Sequence, residues 1–310
     1  MTRTAALIAL ASLFAPVIAA NASTESAASQ PAPLSSPTAA TAPAASARFA
    51  LIIGSNQSPK PELPALRHAD DDAAKYYELF AQLGEARLLT VLDDASQASF
   101  GGLADRSLVP SRANLQTALD QLLAGVAAAR QQGSKTAFYF IYSGHGDVGP
   151  GMQGLLYLGS EKFSRRDLYQ QVIARSTADY NHVVIDACNA YFMVERRGDY
   201  RPDEAGADHG GLVQDLLAAE DLRNHPNTGV MLSTSDEADS HEWSRFGSGL
   251  FSHEVRSGLL GGADLDQDGS VGYDELAAYL AAANSKVDNP KAKIHYYAAA
   301  PAKNRREPLL

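Results

Sequence analysis

The chain alternates between short, unbroken apolar runs and longer stretches in which apolar residues return every three or four positions. Residues 48–54 (RFALIIG), 87–92 (RLLTVL), 136–142 (TAFYFIY), 182–187 (HVVIDA) and 229–233 (GVMLS) are runs of the first kind, the pattern of strands covered on both faces. Between them, Leu115, Leu119, Leu122 and Val126 form the apolar stripe of a helix that Ser111 caps and Gly133 stops. Ala73, Tyr76, Phe80 and Leu83 form a second stripe over 68–83, closed by Gly84. Further helices are expected at 164–176 and 249–260. Strand-helix-strand repetition predicts an α/β fold, with a mostly parallel central sheet, right-handed crossovers and helices on both faces. Such sheets build their sites at the carboxyl ends of the strands.

The pattern changes at the amino end. Arg3, an apolar run from Ala5 to Ala19 and the small-x-small triplet Ala20-Asn21-Ala22 read as a secretory signal peptide over 1–22, too short and Ala-rich for a comfortable membrane span. Residues 23–47 are mostly Ala, Ser, Pro and Thr with a single charge, Glu25, in the stretch to Ser46, the composition of a disordered tether. Residues 48–310 are then one folded domain. Its chain is long enough, at 45% hydrophobic residues, for one large core. The mature protein is expected to be exported, periplasmic or secreted, with no membrane span. Formal charge is -10, and loss of Arg3 makes it more negative. That balance speaks against nucleic acid, which rewards clustered Lys and Arg. With one cysteine, Cys188, an exported chain forms no internal disulfide, and the thiol is either an inert core residue or a reactive group.

Cys188 stands where the strand at 182–187 ends, and the strand at 136–142 runs straight into Ser143-Gly144-His145-Gly146-Asp147. A histidine between glycines suits core packing poorly, whereas bare backbone beside it lets a substrate approach. The plain alternative for His145 is a surface loop residue. Of the eight histidines, His182 opens the Cys188 strand, and six residues at roughly 3.3 Å each put it about 20 Å away. His68 and His253 lie in helical patterns, and His209, His225, His241 and His295 follow no clear strand end. His145 alone ends a neighbouring parallel strand on the Cys188 edge. An imidazole there raises the thiolate fraction of a thiol whose ordinary pKa is about 8.5, and later protonates a leaving amine. Backbone N–H groups of Gly146 and Cys188 are candidate oxyanion donors, each worth roughly 3 kcal/mol.

These residues resemble the caspase-like cysteine peptidases, which include metacaspases and many bacterial relatives. The family's Ser-Gly-His-Gly motif corresponds to Ser143–Gly146, its Asp-x-Cys to Asp186-Ala187-Cys188, and the 43-residue separation of His145 and Cys188 is near the roughly 50 of caspases. "ALIIGSNQ" is similar to the first strand of the family, "LRHADDDA" to the opening of its first helix, and "GSGLFSHEVRSGLLGGADLDQDG" to the late helix of bacterial members. The resemblance implies a three-layer sandwich, a Cys188–His145 dyad, cysteine endopeptidase activity on a protein or peptide, and no organic cofactor. It also implies that Asp186 and Ser143 line a pocket for a P1 Arg or Lys. Arg67, near where caspases place a pocket arginine, would oppose that preference if it neutralised Asp186. Where relatives have Gly two places after the cysteine, this chain has Asn189-Ala190. Trp243 follows the fifth strand, where the family places part of its substrate groove. The polar loop 194–211 corresponds to a connection cut during caspase maturation, which makes Arg196, Arg197 and Arg201 candidate self-processing positions.

A second pattern lies further on. "DLDQDGSVGYDE", residues 264–275, fits the twelve-residue EF-hand loop. Asp264, Asp266 and Asp268 supply carboxylates, Gly269 the sharp turn, Ser270 a carbonyl, Gly272 room for a water, and Glu275 the bidentate closing ligand for Ca2+. A lone hand has no second hand to pack against, so a structural clip is expected rather than a sensor. A solvated acidic turn is the alternative. The run Asp70–Asp72 begins a helix, where negative charge favours the dipole. The competing function for the whole chain is a calcium-clipped binding or scaffolding domain that keeps the fold without hydrolysis.

Overall fold

The computed structural model of the protein describes residues 46–194, 221–233, 242–243, 247–287 and 293–310. The expected signal peptide, nearly all of the tether, and Arg196, Arg197 and Arg201 lie outside the described residues.

The chain enters through β1 (Ser46–Ser55), α1 (Ala69–Leu83), β2 (Glu85–Leu89), the short α2 (Asp94–Ser99), β3 (Ser107–Leu108) and α3 (Arg112–Gln131). Next come β4 (Lys135–Gly144) and a small antiparallel sheet of β5 (Gly146–Gly149), β6 (Gln153–Leu158) and β7 (Glu161–Ser164). A helical turn α4 (Arg165–Asp167) widens into a π turn over Leu168–Ile173 before β8 (Tyr180–Asp186) and β9 (Thr228–Ser233). The remainder is β10 (Glu242–Trp243), β11 (Ser248–Gly249), α5 (Leu250–Ser257) continuing as a π turn over Gly258–Gly262, α6 (Tyr273–Ser285) and β12 (Tyr296–Ala299).

Seven strands form the central sheet in the order β12-β9-β8-β4-β1-β2-β3. Its pairs are parallel except β12 with β9. The pleat explains why the strands read as unbroken apolar runs. On β1, Phe49, Leu51 and Ile53 enter one core with α3 residues Leu115, Leu119, Leu122 and Val126. Ala50 and Ile52 enter the other, with Tyr76 and Phe80 of α1, Val255 of α5 and Leu276 of α6. Helices therefore cover both faces, a three-layer α/β/α sandwich. Local signals set the ends of α3: the Ser111 hydroxyl accepts from Asn114 N at 3.2 Å, and Gly133 follows with φ +83°.

The β5–β7 sheet, the two-residue β3, the β10–β11 pair and β12 have no counterpart in the apolar runs. β2 is offset from its apolar run, starting at Glu85 and ending at Leu89, with Thr90 N bonded to Leu108 O of β3 at 2.8 Å. His145 is the single residue between β4 and β5 and only 7% exposed, so the surface-loop alternative is excluded by its burial.

Candidate active site

β4 and β8 are hydrogen-bonded neighbours in parallel register, with Ser143 opposite Asp186. Their carboxyl ends therefore arrive together, and the chain leaves β4 through His145 and β8 through Ala187 and Cys188. Gly146 marks how close the two exits come. A Cβ at this position would stand 2.1 Å from the Cys188 carbonyl oxygen and 3.0 Å from the Ala187 Cβ, so only glycine lets the backbone after His145 rest on the cysteine. Cys188 is in no disulfide and is partly exposed.

Tyr142 braces this corner. Its hydroxyl, wholly buried, donates within reach of the His145 and Tyr157 carbonyls, both at 2.9 Å, and accepts from Tyr157 N at 3.1 Å. Burial pushes the phenol far up, so it stays neutral, and charge on Cys188 adds to that shift. The His145 ring is held from the other side: Nε2 lies 3.0 Å from the Pro64 carbonyl in the loop between β1 and α1. A carbonyl only accepts, so Nε2 carries the hydrogen and Nδ1 keeps the lone pair.

A second cluster lies one step behind the cysteine. Asp186 Oδ2 accepts from Ser252 N at 3.0 Å, and Asp72 accepts from Gly249 N at 2.9 Å, from Ser143 Oγ at 3.3 Å and from Ser248 Oγ. The two carboxylates flank the Gly249 backbone, where a Cβ would meet Asp186 Oδ2 at 2.8 Å and Asp72 Oδ2 at 3.1 Å. Arg256 Nη1 stands 3.6 Å from Asp72 Oδ1. Burial first, and then the Asp186 charge, raise the Asp72 pKa to about 7.

That is a correction to the helix-dipole account of the acidic run. Asp72 is 1% exposed, and burial beside a second carboxylate outweighs the favourable helix start. Asp70 and Asp71 also have specific bonds. Asp70 accepts from Asn56 Nδ2 at 2.7 Å and Asp93 N at 2.9 Å, and Asp71 from Ser96 Oγ at 2.9 Å. Arg67, weighed in the sequence as a charge that could neutralise Asp186, is exposed; among the described residues a cation paired with Asp72 is Arg256. Sequence reading missed Asp72, Pro64 and Arg256. Only Asp72 left a signal, as part of "LRHADDDA".

His182 occupies the opposite edge. It is buried, stacks on Tyr139 at 4.7 Å and shares a 2.9 Å bond between Nδ1 and the Tyr273 hydroxyl, and burial pushes its pKa down to about 3. Asn189, directly after the cysteine, has a left-handed φ of +57°, and the short turn Ala190–Met193 follows. At Ala190, where relatives have glycine, φ is not positive and the methyl group is packed at 1% exposure, so alanine is accommodated without backbone strain. Of Trp243 the structure describes the backbone, in β10.

In the acidic loop, oxygen atoms of Asp264, Asp266 and Asp268 lie within 4.8 Å of one another, and Gly269 has φ +83°. Glu275 accepts from Gly272 N at 2.8 Å and Leu265 N at 3.0 Å, holding both ends of the loop. Three clustered carboxylates and this turn fit an oxygen-liking divalent cation. The loop has a backbone partner elsewhere in the chain. Val271, its eighth residue, donates to Leu310 O at 2.8 Å and accepts from Leu309 N at 2.8 Å, a short backbone ladder from distant residues of the same chain.

A family model described as Caspase domain matches residues 47–303. No curated protein matches the chain. Among solved structures, protein GSU0716 from Geobacter sulfurreducens is similar at 16% identity and a TM-score of 0.45, covering 82% of this chain and 93% of its own. Pro-sf-caspase-1 is similar at 10% identity and a TM-score of 0.44, covering 83% of this chain and 87% of its own.

Proposed function

The chain belongs to the caspase-domain family, and we propose that it is an exported cysteine endopeptidase that cleaves after Arg or Lys, with Cys188 as nucleophile and His145 as general base and acid. The observation that carries this reading is the contact of Gly146 with the Cys188 carbonyl, which brings the two strand exits to one point.

The chemistry follows from the atoms available. His145, with its Nε2 hydrogen directed to Pro64 O, keeps Nδ1 to accept the thiol proton, and the thiolate adds to the scissile carbonyl. Backbone N–H groups of Gly146 and Cys188 are placed in the proposal to receive the oxyanion. The imidazolium then gives its proton to the leaving amine, and water, deprotonated by the same ring, hydrolyses the thioester. Ahead of the scissile bond, Asp186 with Ser143, joined by Asp72, takes the basic P1 side chain through charge-assisted hydrogen bonds. Asp264, Asp266, Asp268, Ser270, Gly272 and Glu275 would hold Ca2+, which would serve as a structural clip between α5 and α6. Export rests on the segment 1–22. Among the described residues no helix is long and apolar enough to cross a membrane.

Fluorogenic peptides that differ only at P1 test the reading. The expected order in kcat/KM is Arg and Lys above an uncharged residue, with Asp last. His145→Ala should lower turnover about a hundredfold or more. Faster cleavage after Asp would reverse the proposed specificity, and no cleavage of any peptide would leave the family's fold as a binding domain.

A further inference from the structure

Arg256, on α5, is nine-tenths buried. Its Nη1 is closed to solvent and has no hydrogen-bond partner. At 3.6 Å from Asp72 Oδ1 it is near enough for ion pairing and too far for a hydrogen bond. The guanidinium also lies over the Tyr76 ring, 5.9 Å from its centre. Charge and ring, not a finished hydrogen-bonded fork, hold this side chain in place. Its value to the fold therefore depends on whether the carboxylates beside it are ionised.

We propose that Arg256 is the resident counter-charge of the specificity pocket, easing the loss of the Asp72 proton beside Asp186 so that the pocket takes one further cation, the P1 side chain. This rests on the reading of Asp186, Ser143 and Asp72 as the P1 subsite. Two carboxylates flanking one glycine, with no cation, share a proton between them. A proton-sharing pair must expel that proton before a guanidinium binds at full strength. A permanent cation beside Asp72 lowers the cost of that step, and arginine suits the role because it does not deprotonate in proteins.

Among the described residues the surroundings offer no equal substitute. From α1, Lys75 also faces Asp72, but its Nζ donates to Gly247 O, and burial together with the Arg256 charge lowers its pKa. Tyr76 on α1 is held neutral by burial. From β11 come the Ser248 hydroxyl and Gly249 N, from β4 the Ser143 hydroxyl and from β8 Asp186. On α5, the pKa of His253 is lowered chiefly by burial, so it adds no charge at neutral pH. Among the causes that shift Asp72, the Arg256 charge acts downward, against burial and against Asp186.

Binding without turnover isolates the effect. Calorimetry with the Cys188→Ala protein compares two peptides identical except at P1, one with arginine and one with citrulline, which keeps the shape and lacks the charge. Across the neutral pH range, Arg256→Met should weaken the arginine peptide about tenfold and move the acid limb of its binding up by about one pH unit. The citrulline peptide should be unaffected, and Arg256→Lys should restore most of the loss. Equal loss for both peptides, or an unmoved limb, overturns the proposal, because mere loss of packing has that signature. Carboxyl-carbon NMR of the free protein separates the two layers of the argument. Asp72 should titrate at higher pH in Arg256→Met than in the parent and return in Arg256→Lys. A shift there with no preference for arginine over citrulline sinks the subsite reading while sustaining the counter-charge, and no shift sinks the counter-charge whatever the peptides do.

Discussion

A single hydrogen decides what residue 146 can be. With the Gly146 Cβ position 2.1 Å from the Cys188 carbonyl oxygen, any side chain must push β5 off the end of β8. Gly146→Ala should therefore cost about 1–3 kcal/mol of stability and, by separating ring from thiol, lower kcat/KM about a hundredfold. Denaturant unfolding and peptide kinetics on one preparation would check both. Asp72 carries a different signature. Its pKa is raised on folding, from an ordinary 3.8 to about 7, so the native state holds a proton the unfolded chain has released. Its favourable contribution is complete below about pH 4 and is lost as pH rises toward 7. Relative to wild type, Asp72→Asn should accordingly gain stability across that window at up to about 1.4 kcal/mol per pH unit, then level off. A flat difference between the two unfolding curves would contradict the burial argument. The sequence could not reveal this, because a helix start explains three aspartates equally well, and only packing against β8 and β11 singles out the third.

Elements were legible where one chain segment holds its own evidence. The β1, β4, β8 and β9 runs, the α3 cap at Ser111 and the α1 stripe all lie in local pattern. The β5–β7 sheet does not: GDVG and EKFS lack a sustained period of two, and their pairing is fixed by β6 between them. The helices expected at 164–176 and 249–260 are there in part, each widening into a π turn that periodicity does not distinguish from a regular helix. The acidic loop is the instructive element. Its twelve positions read directly from sequence, while its strand partner, Leu309–Leu310, lies dozens of residues away and leaves no trace in the motif. Tyr139 donates to Leu309 O at 2.9 Å, so the same segment ties the loop to the central sheet. If the loop binds Ca2+, the metal steadies that segment as well. Thermal unfolding with calcium in about hundredfold excess over Kd should show a rise of several degrees over chelator. Glu275→Gln should abolish the difference, and identical curves with and without millimolar calcium would remove the clip.

At the scale of the whole molecule, the strand order makes the site. Chain order passes from β1 to β2, yet β4 lies on the other side of β1 and β8 beyond it, and this reversal brings residues 43 positions apart to one rim. Apolar runs predict that a parallel sheet exists. They do not predict which carboxyl ends become neighbours, which is why His145 and Cys188 were legible as strand ends while Pro64, arriving from a loop, was not. Arg256 was equally hidden, since on an amphipathic helix an arginine reads as solvent-facing until the carboxylates opposite it are known.

The most direct measurement is covalent: a peptidyl electrophile with P1 arginine, incubated with wild type and with His145→Ala, the adduct located by mass spectrometry. The account predicts a single adduct on Cys188, formed at least about a hundredfold more slowly without the imidazole. Equal rates in the two proteins, or an unmodified Cys188 in wild type, would contradict it.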